Sequence, residues 1–343
     1  MDSEVYKPSR IVPSVDYEAE GKQFGHLTIP YSRNDSAWGS MWLPIVLVKN
    51  GEGPTILMTG GSHGDEYEGP VTLLKVAQSL DPGSVSGRVI ILPALNLPAV
   101  RAGTRLSPID GVNMNRAFPG ERDGSITHMI AHYVYTELLP RADAVLDIHS
   151  GGKTLDFVPC AVMHELMDKA LEERTLAALK AFGAPVGLVL LELDNEGMLD
   201  TAVESTGKVF LSTELGGGGT LSTGTLRIAE RGVYNVLHHF GVTGPPAQPP
   251  GAERAAPTRL MHTPDTLCYV AARDSGIYEP LVDLGASIEA GSAIGRIHFY
   301  ERPDRPPLEL TARRTGLVIA RHFPGLVQMG DTIAVVALDY ESS

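Results

Sequence analysis

The stretch Thr59-Gly60-Gly61-Ser62-His63-Gly64-Asp65-Glu66-Tyr67-Glu68-Gly69-Pro70 joins two segments with different apolar patterns. Residues 55–58 before it form an apolar run typical of a buried strand, and residues 71–80 after it have the apolar spacing of a helix. The glycines allow a sharp turn between the two and leave room for a ligand. His63 and Glu66 lie three residues apart in this turn, and two histidines with one glutamate are a ligand set of catalytic zinc. We therefore expect the turn to supply two ligands of a metal site.

A second apolar strand ends in Val145-Leu146-Asp147-Ile148-His149-Ser150-Gly151-Gly152, where small residues again follow a histidine. On its own, His149 could be an ordinary histidine whose hydrogen bonds are satisfied at a strand end. Two strand ends of the same style favour instead a site formed by His63, Glu66 and His149, with one zinc ion per chain. Three protein ligands leave the fourth zinc position open, as in catalytic rather than structural sites. Asp147 is either a support for His149 or a turn acid at the strand end.

Asn115 and Arg116 lie in a polar loop and form a candidate substrate clamp. The guanidinium of Arg116 offers a planar pair of donors and the amide of Asn115 adds another, so the two can bind a carboxylate. The alternative is a structural arginine that pairs with Asp110 or Asp123. Arg105, earlier in the same region, is a candidate to polarise a substrate carbonyl.

The segment Val209-Phe210-Leu211-Ser212-Thr213-Glu214-Leu215-Gly216-Gly217-Gly218-Gly219 delivers a further acid to a strand end. Glu214 ends the strand, and four glycines then clear space around it. An anionic carboxylate beside a zinc ion can take the proton of a water molecule, which predicts a catalytic base. The alternative is that Glu214 caps the helix that begins near Leu221, although the glycine run separates it from that helix.

Short β-rich runs alternate with helical periodicity from Leu43 onward. This alternation predicts an α/β fold in which a mainly parallel, mixed sheet has helices on both faces. Ligands of such sheets bind at the carboxyl ends of the strands, where the motifs above lie. The predicted strands are residues 26–29, 44–48, 55–59, 88–92, 144–148, 186–191 and 209–214, and the predicted helices are residues 70–80, 125–138, 165–182 and 221–240.

The length of 343 residues favours two domains rather than one. We predict a zinc-dependent catalytic α/β domain over residues 1–245, a linker rich in proline and glycine over 246–257, and a small all-β, barrel-like domain over 258–343. Parts of the last segment are similar to the barrel-sandwich folds of lipoyl carriers, but the last lysine of the chain is Lys208. A structural or lid role is therefore expected there. A second His-x-x-Glu sequence at 298–301 lacks flanking glycines and is not expected to bind metal.

The composition argues against several classes of protein. A formal net charge of −13 does not suit a general nucleic-acid-binding protein, which needs a basic surface. The first residues lack the basic and apolar regions of a signal peptide, and no apolar run is long enough to span a membrane. Cys160 and Cys268 are too few for a disulfide framework. We expect a cytoplasmic protein with a small-molecule partner, without nucleic-acid or membrane partners, for which a homo-oligomer is a possible assembly.

Taken together, these motifs resemble the succinylglutamate desuccinylase/aspartoacylase family, which is itself similar to the zinc carboxypeptidases. The similarity covers about residues 40–340. It implies an α/β catalytic domain followed by a β-barrel domain. It also implies a role for each matching residue: zinc ligand for His63, Glu66 and His149, carboxylate clamp for Asn115 and Arg116, and base for Glu214.

The glycine-rich forms of the first and last motifs are most similar to those of family members that deacetylate Nα-acetyl-L-2,4-diaminobutyrate in ectoine breakdown. The resemblance implies a zinc-dependent amidohydrolase that releases an acyl group, acetyl in that case, from an N-acyl amino acid. Three alternatives stay open. They are an N-acyl amino acid deacylase of the aspartoacylase or succinylglutamate desuccinylase type, a metallocarboxypeptidase with an open peptide groove, and a non-catalytic zinc-binding protein, which would not need Glu214.

Overall fold

The structure is a computed structural model that describes residues 8–191, 196–245 and 257–340. The predicted linker over 246–257 lies outside these ranges except for Pro257. The strands are β1 Val12–Pro13, β2 Gly21–Pro30, β3 Ser40–Asn50, β4 Thr55–Gly60, β5 Gly87–Leu92, β6 Ala144–His149, β7 Leu155–Phe157, β8 Cys160–His164, β9 Val186–Leu190, β10 Val209–Glu214, β11 Arg259–Thr263, β12 Tyr269–Ala271, β13 Gly276–Pro280, β14 Ser287–Ile288, β15 Ala293–His298, β16 Leu308–Thr311, β17 Gly316–His322, β18 Leu326–Val327 and β19 Thr332–Asp339.

The described α-helices are fewer than the strands and lie before residue 240. None of them, within the ranges just given, combines the length and the apolar composition needed to cross a bilayer. The α-helices are α1 Glu68–Ser79, α2 Leu97–Ala102, α3 Ile126–Tyr133, α4 Lys169–Phe182, α5 Leu199–Glu204 and α6 Thr223–His239. Short 3-10 turns lie at Pro82–Ser84, Met114–Arg116, Leu139–Arg141 and Thr266–Cys268, and a π-helical turn lies at Val134–Leu138.

One large sheet runs through the molecule in the order β1-β2-β3-β5-β4-β6-β10-β8-β9-β11-β19-β17-β14. Pairing is parallel from β5 through β4 and β6 to β10, and again from β8 through β9 to β11. It is antiparallel from β1 through β2 and β3 to β5, and also between β10 and β8. The sheet is therefore mixed, as predicted, but the parallel pairing expected to dominate it is confined to two inner blocks.

Alternate side chains of the central strands enter two different hydrophobic cores. In β4, Leu57 belongs to one core, whereas Ile56 and Met58 belong to the other. Apolar residues of α2, α3 and α5 join the first core, and those of α1, α4 and α6 join the second. Because helices cover both faces, β4 is buried along its whole length, which explains its continuous apolar sequence.

Capping side chains set the ends of the longer helices. α4 begins directly after Asp168, whose carboxylate accepts hydrogen bonds from two N–H groups of the first turn, rather than at the predicted residue 165. α6 begins after Ser222, which forms a capping box with Thr225. The helix predicted up to residue 138 is α-helical only to Tyr133 and continues as a π-helical turn.

The sequence analysis missed three elements near the motifs, namely β8, α2 and α5. Both helices have only six residues, which is too short for a periodic pattern to show. Signals for α2 were nevertheless present at its ends. Asn96 accepts a hydrogen bond from the N–H of Ala99 at its start, and Gly103 adopts the left-handed conformation at its end.

The C-terminal strands continue the large sheet. β11 pairs in parallel with β9 and in antiparallel with β19. A second, antiparallel sheet has the order β16-β15-β13-β18. Cys160, Met261 and Ile319 belong to one core cluster shared by the two parts of the chain, and the buried Cys160 and Cys268 are both free thiols. Beyond the short Thr266–Cys268 turn, the described C-terminal region is β-structured, as predicted, whereas its closure into a barrel stays a prediction.

Three parallel neighbours bring the sequence motifs to one edge of the sheet. β6 lies between β4 and β10, with Gly60 opposite Ile148 and His149 opposite Glu214. Because the carboxyl ends of parallel strands meet at the same edge, the residues that follow these strands enclose a common volume.

Candidate active site

His63, Glu66 and His149 converge on one small volume. The carboxylate of Glu66 lies between the imidazoles, with Oε1 2.7 Å from Nδ1 of His63 and Oε2 2.8 Å from Nδ1 of His149. One ligand atom from each residue lies within 4.8 Å of the other two, and all three side chains are buried. Among the described residues, no other group of three His, Cys, Asp or Glu side chains meets this arrangement. Two imidazole nitrogens and a carboxylate oxygen are a donor set that zinc accepts.

The other ring nitrogen of each histidine is also engaged. Nε2 of His149 lies 2.7 Å from Oδ2 of Asp147, and Nε2 of His63 lies 3.0 Å from Oδ1 of Asn113. Asp147 is buried and accepts a second hydrogen bond from the hydroxyl of Thr59 at 2.7 Å, so it is not a turn acid. An acceptor on the distal nitrogen orients a histidine for metal binding. The sequence analysis did not assign Asn113 because its contact with His63 spans 50 residues.

Burial and neighbouring charges act in opposite directions on the pKa values of this group. Burial by itself would raise the pKa of Glu66, but the adjacent His63 and His149 outweigh it and hold that pKa below its usual range. Burial would lower the pKa of His149, but Asp147 and Glu66 raise it well above its usual value. The carboxylates thus favour positive charge at this position, which a bound cation would supply in place of a proton.

The glycine turn after β4 packs closely against α2. A side-chain carbon on Gly64 would lie 1.9 Å from the carbonyl carbon of Ala99, so only glycine fits there. On the other side, the backbone N–H of Ser150 donates to Oε2 of Glu66 at 3.2 Å. The turn is therefore held between α2 and the end of β6, which places His63 and Glu66 beside His149.

Glu214 ends β10 beside His149, its neighbour across the parallel pair. Its Oε2 is buried and has no hydrogen-bond partner in the described part of the chain. Burial, followed by the charge of Glu66, raises the pKa of Glu214 to about 8, against the opposing effects of His149 and Arg105. An unpaired carboxylate with this proton affinity suits a group that accepts and then returns a proton. Glu214 does not cap α6, because Ser222 does.

Arg116 lies beyond the candidate ligands, in the loop that also carries Asn115. Its guanidinium donates to the backbone oxygen of Asn115 at 2.6 Å. Oδ1 of Asn115 accepts a hydrogen bond from the N–H of Leu199 at 2.9 Å, which ties this loop to α5. Nη1 of Arg105 lies 3.4 Å from Oε1 of Glu66. The two acids considered as structural partners of Arg116 have other partners, with Asp110 accepting from Ser125 and Thr127 and Asp123 paired with Arg10 and Arg122.

A cavity of about 180 Å³ joins these side chains. The predicted site residues in its wall are His63, Arg105, Asn115, Arg116, His149 and Glu214. The rest of the wall was not singled out from the sequence and consists of Val162, Met163, His164, Leu190, Met198, Asp200, Phe210 and Ser212. These residues belong to β8, β9, β10 and the start of α5. No local motif groups them, because only the pairing of β10 with β8 and the packing of α5 bring them together.

Comparison with known proteins identifies the family of this chain. Residues 52–240 match the model of the succinylglutamate desuccinylase/aspartoacylase catalytic domain. The N-alpha-acetyl-L-2,4-diaminobutyric acid deacetylase of Halomonas elongata is 48% identical over 336 residues, which cover 98% of this chain and 97% of that protein. This chain belongs to the succinylglutamate desuccinylase/aspartoacylase family. The predicted membership is therefore confirmed.

The similarity to solved structures extends over nearly the whole chain. The product-bound structure of the ectoine utilization protein EutE (DoeB) from Ruegeria pomeroyi is 48% identical with a TM-score of 0.93, and the match covers 97% of this chain and 100% of that one. An aspartoacylase family protein from Mesorhizobium loti is 33% identical with a TM-score of 0.85, covering 97% and 99% of the two chains. The C-terminal strands thus belong to the architecture shared with these proteins, although the match to the catalytic domain ends at residue 240.

Proposed function

We propose that this family member is a zinc-dependent amidohydrolase that converts Nα-acetyl-L-2,4-diaminobutyrate to 2,4-diaminobutyrate and acetate in ectoine breakdown. The observation that carries the proposal is a three-residue donor set whose two histidines line the same cavity as the unpaired carboxylate of Glu214 and the guanidinium of Arg116. The choice of substrate is supported by the 48% identity with the Halomonas elongata deacetylase over almost the full length of both chains.

The proposed metal site consists of His63, Glu66 and His149, with one zinc ion per chain. The residues fit this ion because they offer two nitrogens and a carboxylate oxygen, and because Asp147 and Asn113 hold the distal ring nitrogens. When bound there, zinc would polarise the substrate carbonyl and lower the pKa of a water molecule.

Glu214 is proposed as the general base and then the general acid. Its carboxylate takes a proton from water as the water oxygen bonds to the acyl carbon. It passes this proton to the nitrogen of the leaving amine as the C–N bond breaks, so that acetate and the free amino acid are released. Proton transfer by a positioned group of this kind typically contributes about 10²–10⁴-fold to the rate.

The cationic side chains of the cavity are proposed to bind the two negative parts of the reacting substrate. Arg116 and the Nδ2 of Asn115 hold the α-carboxylate, since the Oδ1 of Asn115 is already engaged by Leu199. Arg105, which lies beside Glu66, donates to the acyl oxygen as negative charge develops on it.

The size of the cavity favours this activity over that of a metallocarboxypeptidase. Its volume of about 180 Å³ is below the ~300–1,000 Å³ of sites that enclose drug-sized ligands. An amino acid with a short acyl group fits such a space better than a peptide does. A non-catalytic zinc protein is disfavoured because it has no use for a buried, unpaired acid such as Glu214 beside the metal ligands.

The proposal is tested by assaying the zinc-loaded protein with four substrates. They are Nα-acetyl-L-2,4-diaminobutyrate, N-acetyl-L-aspartate, N-succinyl-L-glutamate and a dipeptide. We expect the highest kcat/KM with the first. A preference for N-acetylaspartate or succinylglutamate would support a deacylase activity but reject the proposed substrate. A preference for the dipeptide would indicate a carboxypeptidase, and no turnover of any substrate with zinc bound would indicate a binding protein.

A further inference from the structure

The cavity contains a second carboxylate that the proposed reaction does not use. Among the described residues that line it, Asp200 and Glu214 are the acidic ones. Glu214 is assigned to proton transfer, whereas Asp200 lies in another part of the wall, on the first turn of α5. Asp200 is only 5% exposed. A carboxylate this buried is rarely found without a cation or a strong hydrogen-bonding partner.

The position of Asp200 is linked to that of the substrate clamp. The residue before it, Leu199, donates its N–H to Oδ1 of Asn115, so α5 and the loop of Arg116 are held together at this point. Oδ1 of Asp200 accepts hydrogen bonds from the N–H and the hydroxyl of Thr201 at 2.5 and 3.2 Å. These bonds orient the carboxylate on the cavity wall that also includes Arg116.

In the described part of the chain, Asp200 shares a histidine with a second acid. Its Oδ2 lies 3.8 Å from Nε2 of His164, and the other nitrogen of that ring lies 3.2 Å from Oε1 of Glu204. One imidazole thus lies between two carboxyl groups, those of Asp200 and Glu204. Burial raises the pKa of Asp200, and His164 offsets this only in part, while Glu204 adds to it. A further cation in the cavity would stabilise the ionised carboxylate.

We propose that Asp200 binds the distal ammonium group of the substrate amino acid and thereby determines which side chain the enzyme accepts. This inference rests on the proposed function, because it places the α-carboxylate on Arg116 and the acyl group at the metal ligands. The remaining charged group of an acetylated diamino acid is its side-chain ammonium, and among the described residues of the cavity wall Asp200 is the acid left to receive it. The same carboxylate would repel the acidic side chains of N-acetylaspartate and succinylglutamate.

The first experiment compares two substrates on the wild-type enzyme. Nα-acetyl-L-2,4-diaminobutyrate carries the distal ammonium, and Nα-acetyl-L-2-aminobutyrate lacks it but has the same carbon chain. We expect kcat/KM to be on the order of ten- to hundredfold higher for the first, as for the loss of a hydrogen bond to a charged group. A ratio near one would overturn the inference but not the proposed function. Hydrolysis of neither substrate would reject the proposed function itself.

The second experiment repeats the comparison with Asp200→Asn. We expect the variant to lose kcat/KM with the cationic substrate and to keep it with the neutral one, so that their ratio falls towards one. An equal loss with both substrates would show a structural role and overturn the inference, as would an unchanged ratio.

Glu204→Gln is the matched control. Glu204 lies on the same helix and contacts the same His164, but it is not part of the cavity wall. It should therefore keep most of the wild-type ratio. A collapse of the ratio in Glu204→Gln as large as in Asp200→Asn would assign the effect to the charge of the whole cluster and overturn the role of Asp200. If Asp200→Asn does not fold, the wild-type ratio decides alone.

Discussion

The chain contains two His-x-x-Glu sequences, and the structure places them in opposite surroundings. At residues 63–66, both side chains are buried and face each other at 2.7 Å, with His149 on the far side of the glutamate. At residues 298–301, the histidine ends β15, is 46% exposed and contacts Glu279 of the neighbouring strand at 2.7 Å. The glutamate of this second copy, Glu301, is exposed.

The difference arises from what lies next to each copy. The first follows a buried parallel strand, so the neighbouring strand β6 delivers a third ligand to the same edge. The second begins at the end of a strand of the smaller antiparallel sheet, and its histidine makes an exposed contact with a glutamate, of a kind that contributes at most about 1 kcal/mol. The three-residue spacing therefore supplies a histidine and a glutamate close to each other. A metal site forms only where a ligand from a distant part of the chain joins them.

The largest effect is expected from His149→Ala. This variant would leave His63 and Glu66 without a third ligand, so that they would resemble the second His-x-x-Glu copy. Purified protein should lose most of its zinc and its measurable deacetylase activity, because two donors hold the ion far more weakly than three. Elemental analysis and acetate release on one preparation check this. Full zinc content with normal turnover would show that the ion binds elsewhere.

Glu214→Gln should give the next largest effect. It tests whether the buried site around His63, Glu66 and His149 is catalytic rather than only metal-binding. The amide keeps the shape of the side chain but cannot accept a proton, so kcat should fall by at least ~10²–10⁴. Zinc content should stay at the wild-type level, because Glu214 is not assigned as a ligand. Near-normal kcat with zinc in place would remove the base from the mechanism.

Arg116→Ala should have a smaller effect, mainly on binding. A charge-assisted clamp on the α-carboxylate is worth about 1.5–3 kcal/mol, so KM should rise roughly ten- to hundredfold with little change in kcat. Arg122→Ala is the control, because Arg122 pairs with Asp123 outside the cavity, and its KM should stay at the wild-type value. Equal KM values for the two variants would point to a structural role for Arg116.

The smallest effect is expected from His298→Ala in the second pair. Zinc content and kcat/KM should not change, and the free energy of unfolding should change by no more than about 1 kcal/mol, because only an exposed contact with Glu279 is lost. Metal analysis, steady-state kinetics and denaturant unfolding measure these quantities. Loss of zinc from this variant would contradict the contrast between the two copies.

Much of the fold could be predicted because its signals act over a few residues. Apolar runs placed β4 and β10 within one residue of their ends, and the glycines that follow marked the turns that carry His63 and Glu214. The same local motifs carried the family resemblance that the comparisons confirm. Helix ends were less accurate where capping decided them, as at Asp168.

The order of the strands in the sheet could not be predicted from such local patterns. The large sheet inserts β8 beside β10 in antiparallel orientation, and β2, β3 and β5 also pair antiparallel, so its pairing is less parallel than the alternation of elements indicated. An apolar strand has the same local sequence whichever neighbour it pairs with. The choice depends on burying whole faces of the sheet, to which segments far apart in the chain contribute.

The sequence by itself determined the strand, turn and helix around His63 and Glu66, because backbone preference and apolar periodicity are local properties. Only the tertiary structure decided which distant groups complete the site. His149 meets Glu66 across 83 residues, Asn113 reaches His63 across 50, and Asp200 enters the cavity on a helix too short to be detected. These contacts depend on packing free energy summed over the whole molecule, which no short stretch of sequence contains.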